Sequence, residues 1–379
     1  MRYLGNKTAL LDRISQSAAQ IGFTGGTVCD LFAGSAVVGR HFRAAGNRVL
    51  ANDLMESSYV FQQVFLEIAG VPEFAELREQ VDLPPAATPF DRVVRHLEQE
   101  VEPVTGLLTR QYSPGAGGER RYFTADNAAR LDGMLAAVRS WREAGWLQST
   151  EQALVIAALL NGADRVANIS GTYGAYLKKW QTNAEQPLRL IVPEFVAGPV
   201  GRAHHQDAFA WLPEVTADLL YLDPPYNHRQ YPANYHLMEI IARIPVEADL
   251  AAFEGSIYGK TGLVPWQGKR SRLCSGRGSE CADAFRELLQ STSIPRLVVS
   301  YSEEGIISRA EFDDILAEYA GVATLDRHLS EVPYRRFRSD ADGRKSRTGA
   351  GRAYRQLPGR EKDEVCEWLF HVAKRGFAP

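Results

Sequence analysis

Along the chain, short apolar runs that close on an acidic residue alternate with stretches whose apolar residues recur every three or four positions. "TVCDLFAGSAVVGRHFRAAG" (27–46) reads as a buried strand over 28–32, a turn of small residues and a helix ending near Gly46. "RVLANDL" (48–54) follows as a second strand ending in Asp53. Strand patterns return at "DLLYLD" (218–223), "PRLVVSYS" (295–302) and "EWLFHVAK" (367–374), and a further strand end is read at "HHQDAFAWL" (204–212). From about 55 to 195 the periodicity is helical, broken by "PPAATP" (84–89) and "SPGAGG" (113–118). Within it, "NAARLDGMLAAVRSWREAGW" (127–146) and "STEQALVIAALLNGADRVAN" (149–168) carry apolar residues at helical spacing, the second opened by a Ser149-Thr150-Glu151 capping signal.

Strand, turn, helix, strand is the start of a doubly wound α/β sheet. The expected organisation is a discontinuous sheet domain, 1–54 and 196–379, interrupted by a mostly helical insert at 55–195. A length of 379 residues with 45% hydrophobic content accommodates that core. The opening "MRYLGNKTALLDRI" lacks an apolar signal core, and no stretch approaches the ~20 apolar residues of a membrane span, so the expectation is a soluble, cytoplasmic protein without membrane contact. Cys29, Cys274, Cys281 and Cys366 are scattered without CxxC pairs or zinc-spaced histidines, which reads as reduced structural thiols and no metal.

Net charge is only −3, but the basic residues cluster. "YRRFRSDADGRKSRTGAGRAYR" (334–355) holds Arg335, Arg336 and Arg338 among its eight cations, against Asp340 and Asp342. "GKTGLVPWQGKRSRLCSGRG" (259–278), with Lys269 and Arg270, contains no acid. A solvated loop explains either run alone; two beside one half of the chain favour a phosphate backbone as partner.

The acids at strand ends carry the candidate chemistry. Open α/β sheets bind ligands beyond the carboxyl ends of their strands, and Asp30, Asp53, Asp207 and Asp223 each close a predicted strand. Small residues in "DLFAGSAVVG" (30–39) would let a ligand approach the backbone near a helix N-terminus, although a tight turn explains Gly34 and Gly39 equally well. Asp53 is placed to accept both hydroxyls of a ribose, or to cap a helix. Asp207 could bond an adenine amino group and Phe209 line that base, or the pair could be a polar strand end and a core aromatic. In "LYLDPPYN" (220–227) two prolines remove two backbone donors and hold the chain extended, fixing Asp223, the Pro224 carbonyl, Pro225 and Tyr226 in one geometry.

Together these segments resemble the D12 (α-group) class of N6-adenine DNA methyltransferases. "RYLGNK" (2–7) is similar to that family's N-terminal cofactor motif, "DLFAGSAVVG" to its methionine-binding loop, "NDL" and "QDAF" to its nucleoside contacts, and "DPPY" to its catalytic motif. "RLVVSYS" and "EVCEWLFHVAK" match later strands, and "ADRVANISGTYGAYLKKW" (163–180) matches part of the insert. The resemblance implies a Rossmann-like methyltransferase sheet with an inserted target-recognition domain. S-adenosyl-L-methionine would be the cofactor and double-stranded DNA the substrate, with a cognate restriction endonuclease as a possible partner. Tyr3 and Lys7 would hold the cofactor's carboxylate; Asp30 and Phe32, with the Gly34–Ser35 loop, its methionine part. Tyr173 would lie near the flipped base, with a structural turn as the alternative. The arginine-rich segment resembles a hairpin laid against DNA. One departure is Ala36 where the family's loop carries a second glycine, a change alanine tolerates if the position does not need positive φ.

The implied reaction sets Asp223 and the Pro224 carbonyl as acceptors for the two N6 hydrogens and Tyr226 as a stacking face. Other planar NH₂ acceptors, N4 of cytosine, adenine in RNA or a protein glutamine, would suit the same motif, and a weakly active DNA-binding protein on the same scaffold is a further alternative. A nicotinamide oxidoreductase has no use for DPPY and would carry GxGxxG, which is absent.

Overall fold

The structure is a computed structural model and describes residues 7–228, 230–335 and 364–377. Among these, seven strands make one sheet: β1 Thr27–Asp30, β2 Arg48–Asn52, β3 Arg202–His204, β4 Leu219–Leu222, β5 Arg296–Ser302, β6 Leu329–Arg335 and β7 Glu364–Ala373. Their spatial order is β3-β2-β1-β4-β5-β7-β6. The first five are parallel, and β7 lies antiparallel between β5 and β6. This is a mixed, mostly parallel α/β sheet, as the strand-turn-helix-strand pattern predicts.

β4 reads as an unbroken apolar run, and β5 is buried along almost its whole length, because both faces of the sheet are covered. Side chains alternate between the faces. Val28, Leu219, Tyr221, Val298 and Leu369 pack with the helices Leu11–Gln20 and Val37–Ala44; Cys29, Leu220, Leu222, Val299 and Phe370 pack with Glu280–Gln290 and Arg309–Ala320. That parity matters at the strand ends, where it carries Asp30, Asp223, Ser300 and Glu367 onto the first of these faces.

One strand expectation shifts, and one strand was not foreseen. The strand near 204 stops at His204, and Asp207, predicted to close it, instead caps the short helix Ala208–Trp211 by accepting from the backbone N–H groups of Phe209 and Ala210 at 2.9 and 3.3 Å. β6 had no alternating apolar signal: it is a sheet edge with mixed polarity and Pro333, which an edge tolerates.

Between β2 and β3 the chain forms helices, among them Glu56–Gln62, Pro89–Gln99, Ala125–Glu143 and Ser149–Val166. The last begins at its predicted cap residue, Ser149, because Gln148 takes the N-cap position; Glu151 accepts from the Gln148 N–H at 3.0 Å and from that of Phe74 at 2.7 Å. The buried side chains of this region form one cluster with Leu237, Met238, Ile240 and Ile241 of the helix His236–Arg243 and with Phe253. The helical layer is therefore cored by chain from both sides of β3 and β4. No described helix is long and apolar enough to cross a membrane.

Candidate active site

β2, β1 and β4 end side by side, and their last residues open into a cleft. Its larger part is lined by Phe32, Asp53, Asp207, Phe209, Asp223, Pro225 and Tyr231. A smaller adjoining part is lined by Lys7, Asp30, Gly34, Ser35 and Tyr221, and Phe32 and Asp223 border both. The two cavities lie side by side from the turn after β1 to the proline pair after β4, with Phe32 and Asp223 lining both.

The turn after β1 is shaped by two left-handed residues. Gly34 has φ 50°, and its N–H donates to Asp53 Oδ2 at 2.9 Å; Asp53 Oδ1 accepts from the Met55 N–H at 2.9 Å. Ala36, fully buried at the N-cap of the helix Val37–Ala44, has φ 59°. The condition under which alanine was expected to be tolerated therefore fails: the position does need positive φ, at a strain of about 1 kcal/mol or more for a residue with a Cβ.

Beyond β4, Pro224 and Pro225 contribute no N–H, and the next ring, Tyr226, meets Tyr301 edge-on at 6.1 Å while its carbonyl accepts from the Ile306 N–H at 3.1 Å. Asp223 Oδ1 lies 3.1 Å from Lys7 Nζ, and the same ammonium lies 2.7 Å from Glu367 Oε1 and 5.8 Å from the centre of the Tyr226 ring. Lys7, predicted to hold a cofactor carboxylate, is thus held by two carboxylates of the protein itself.

Burial dominates the electrostatics. Asp30 is pushed up to about 8 by burial and then by the charge of Asp223, with the nearby Gly39 amide opposing although it is too poorly placed to make a well-formed hydrogen bond to either oxygen. Burial raises Asp53 to about 6 against the N–H groups of Met55 and Gly34. Burial also raises Asp223, to about 7, with Lys7 opposing and Glu367 assisting; its carboxylate is one-fifth exposed. Burial lowers Lys7, but Asp223 and Glu367 outweigh it, so the group stays protonated. Among the described residues no cluster of three or more His, Cys, Asp or Glu is arranged to hold a metal.

The remaining predicted residues divide. Phe209 lies on the cleft with the Arg272 guanidinium 5.2 Å from its ring centre. Lys269 and Arg270, expected on DNA, also line the cleft, and Lys269 Nζ is 3.2 Å from Glu239 Oε2. Glu239 in turn accepts from the N–H groups of Glu56 and Ser57, fixing the start of the helix Glu56–Gln62 beside the cleft. Tyr173 is a correction: it is wholly buried with its hydroxyl donating to Asp164, so its ring presents no face to a base, and the structural-turn alternative describes its placement. Tyr3, Arg336, Arg338 and the side chain of Arg335 lie outside the described residues. Sequence reasoning missed Tyr231 and Glu367. Glu367 had a signal, a lone acid within the apolar run "VCEWLFHVA".

A family model of the D12 class N6 adenine-specific DNA methyltransferases matches residues 3–302. The chain is 33% identical over 378 residues to the Type II methyltransferase M.FokI of Planomicrobium okeanokoites, covering 99% of this chain and 53% of that one. It is 30% identical over 345 residues to the Type II methyltransferase M.NlaIII of Neisseria lactamica, covering 90% and 93% respectively. It is 30% identical over 382 residues to the modification methylase StsI of Streptococcus sanguinis, covering 100% and 52%. The chain thus spans about half the length of M.FokI and StsI and nearly all of M.NlaIII. No solved structure matches it significantly.

Proposed function

We propose that this chain, which belongs to the D12 class of N6 adenine-specific DNA methyltransferases, moves a methyl group from S-adenosylmethionine to N6 of an adenine turned out of double-stranded DNA. The observation that carries the reading is that the cavity lined by Asp30 and Gly34 and the larger one lined by Asp53 and Pro225 adjoin, with Asp223 lining both. S-adenosylmethionine would supply an electrophilic methyl on a sulfonium.

The residues present suit that cofactor. Asp30 offers a buried carboxyl group with no well-formed protein hydrogen bond, a partner for an α-ammonium group. Gly34 keeps the adjoining turn open. Asp53 faces the cleft with lone pairs to spare for a ribose diol, and Phe32 and Phe209 provide apolar walls for a purine.

The exocyclic amine of adenine is a weak nucleophile because its lone pair is shared with the ring. The Asp223 carboxylate and the Pro224 carbonyl would accept its two hydrogens, favour the pyramidal nitrogen and stabilise the positive charge that grows as the N–C bond forms. The extruded base would stack on Tyr226, offsetting an unstacking cost of a few kcal/mol. Arg270 and the arginines at 335, 336 and 338 would contact phosphates, giving salt-dependent affinity. The names of the relatives point to modification systems, so a cognate endonuclease is the proposed partner.

The test is incubation with tritiated S-adenosylmethionine and, in separate reactions, unmethylated duplex DNA, RNA and protein, followed by digestion to nucleosides. Label recovered as N6-methyladenine from DNA is expected; N4-methylcytosine, or label confined to RNA or protein, would overturn the proposal.

A further inference from the structure

We infer that Glu367 is a positioning residue for methyl transfer: it anchors the Lys7 ammonium from the far side, so that the Asp223 carboxylate remains a basic acceptor. The inference rests on the assignment of Asp223 above.

The contacts form a chain across the sheet. Ser300 Oγ on β5 donates to Glu367 Oε1 at 2.5 Å, Glu367 Oε1 is 2.7 Å from Lys7 Nζ, and Lys7 Nζ is 3.1 Å from Asp223 Oδ1. Glu367 is almost wholly buried, and β7 delivers it to the strand ends because its register sets it opposite Ser302. The alternation of side chains brings Ser300, Glu367, Asp223 and Asp30 to one face of the sheet. A buried acid in an otherwise apolar strand is costly unless paired, and this one is paired to the cation that touches the acceptor.

The consequence is chemical. A lone Lys–Asp pair would neutralise Asp223 and commit one oxygen to an ammonium, against which the neutral N–H of an adenine competes poorly. A second carboxylate, nearer to the ammonium than Asp223 is, divides its charge and restrains its reach. With Asp223 ionised, Lys7, Asp223 and Glu367 together carry one net negative charge, which suits a nitrogen that becomes cationic in the reaction. The nitrogen lone pair forms the N–C bond, the C–S bonding pair stays on sulfur, and the surplus N6 proton leaves to Asp223 and from there to water. The other titratable groups around Asp223 are Asp30 on β1, Tyr221 on β4, and Tyr226 and Tyr231 beyond it.

The experiment is kcat against pH for the full chain, Glu367→Gln and Glu367→Asp, with unmethylated genomic DNA and S-adenosylmethionine, after melting curves and cofactor calorimetry confirm the fold. Glu367→Gln should lower the plateau about tenfold, move the acid limb down by about one pH unit and leave KM for the cofactor within about twofold. Glu367→Asp, which keeps the charge, should return the limb toward its original position. An unmoved limb in Glu367→Gln, or a Glu367→Asp that behaves like it, overturns the inference. If Glu367→Gln fails to fold, Ser300→Ala replaces it: a smaller shift in the same direction supports the role, and an unchanged profile refutes it. Absence of labelled adenine with the unaltered protein would instead sink the assigned function, so the two failures are distinguishable.

Discussion

Asp132 in the helical layer and Asp30 at the end of β1 are both buried, and the protein treats them in opposite ways. Asp132 accepts from the N–H groups of Gly106, Leu108 and Thr109 at 3.0, 2.9 and 2.7 Å and from the Thr109 hydroxyl at 2.7 Å, tying down the start of the helix Leu107–Tyr112. Gly106 must lack a side chain there, since a Cβ would come within 2.6 Å of the Asp132 carboxyl carbon. Asp30 makes no well-formed hydrogen bond, and the Gly39 amide acts on it only from nearby. A carboxylate desolvated without compensation costs free energy, so leaving one bare is a feature of a site, whereas surrounding one with donors is a feature of a scaffold. Burial raises both carboxyls, but only Asp132 has four protein hydrogen bonds pulling the other way.

The strongest test of this division removes the acceptor in the cleft. Asp223→Ala should cut kcat about 10³-fold while calorimetry shows cofactor affinity changed by less than about threefold, because the group acts on the transition state. Near-normal turnover would erase the distinction between site and scaffold carboxylates.

On the scaffold side, Asp132→Ala leaves three N–H groups and a hydroxyl without their acceptor. Urea unfolding should report a loss of about 2–4 kcal/mol, with methylation per folded molecule unchanged. A loss below about 1 kcal/mol would mean that water replaces the carboxylate without cost.

Asp30→Asn sharpens the contrast through pH. The carboxyl titrates near 4 in the unfolded chain and at about 8 in the folded one, so the folded state retains a proton that the unfolded state releases. Its contribution to stability is therefore complete below about pH 4 and is lost as pH rises through about 8. Without cofactor, the melting temperature of Asp30→Asn should fall less between pH 6 and pH 9 than that of the unaltered protein, and its cofactor affinity should drop about tenfold. Parallel melting curves would place the burden on another group.

The smallest effect is expected at Ala36→Gly. Relief of about 1–2 kcal/mol of left-handed strain is offset by a lost buried methyl, about 0.8 kcal/mol, and by a looser unfolded chain, about 0.4–1 kcal/mol. Denaturation should place the variant within about 1 kcal/mol of the original, and a larger change in either direction would show that the turn itself rearranges.

Much of the site was legible because its signals are local. An apolar strand that ends in an acid, a small-residue turn before a helix, and an acid followed by two prolines are each set by neighbouring residues, and all three mark the cleft. What the sequence did not give is how such residues are held. Tyr173, Lys269 and Asp207 were read by residue type: an aromatic in a glycine-rich loop, a cation in a basic run, an acid after a strand. Their partners Asp164, Glu239 and the first N–H groups of the helix Ala208–Trp211 decide where they sit.

The sequence by itself determined most of the segments that become strands, though not β6, and that the backbone after Asp223 carries no donors, because side-chain alternation and the proline ring act within a few residues. Only the tertiary structure decided which charges share that end of the sheet. Lys7 and Glu367 come from opposite ends of the chain, and they meet at Asp223 because β7 runs antiparallel beside β5 in a register that sets Glu367 opposite Ser302. Strand pairing of that kind is fixed by burying a whole apolar face at once, so no local pattern announces it.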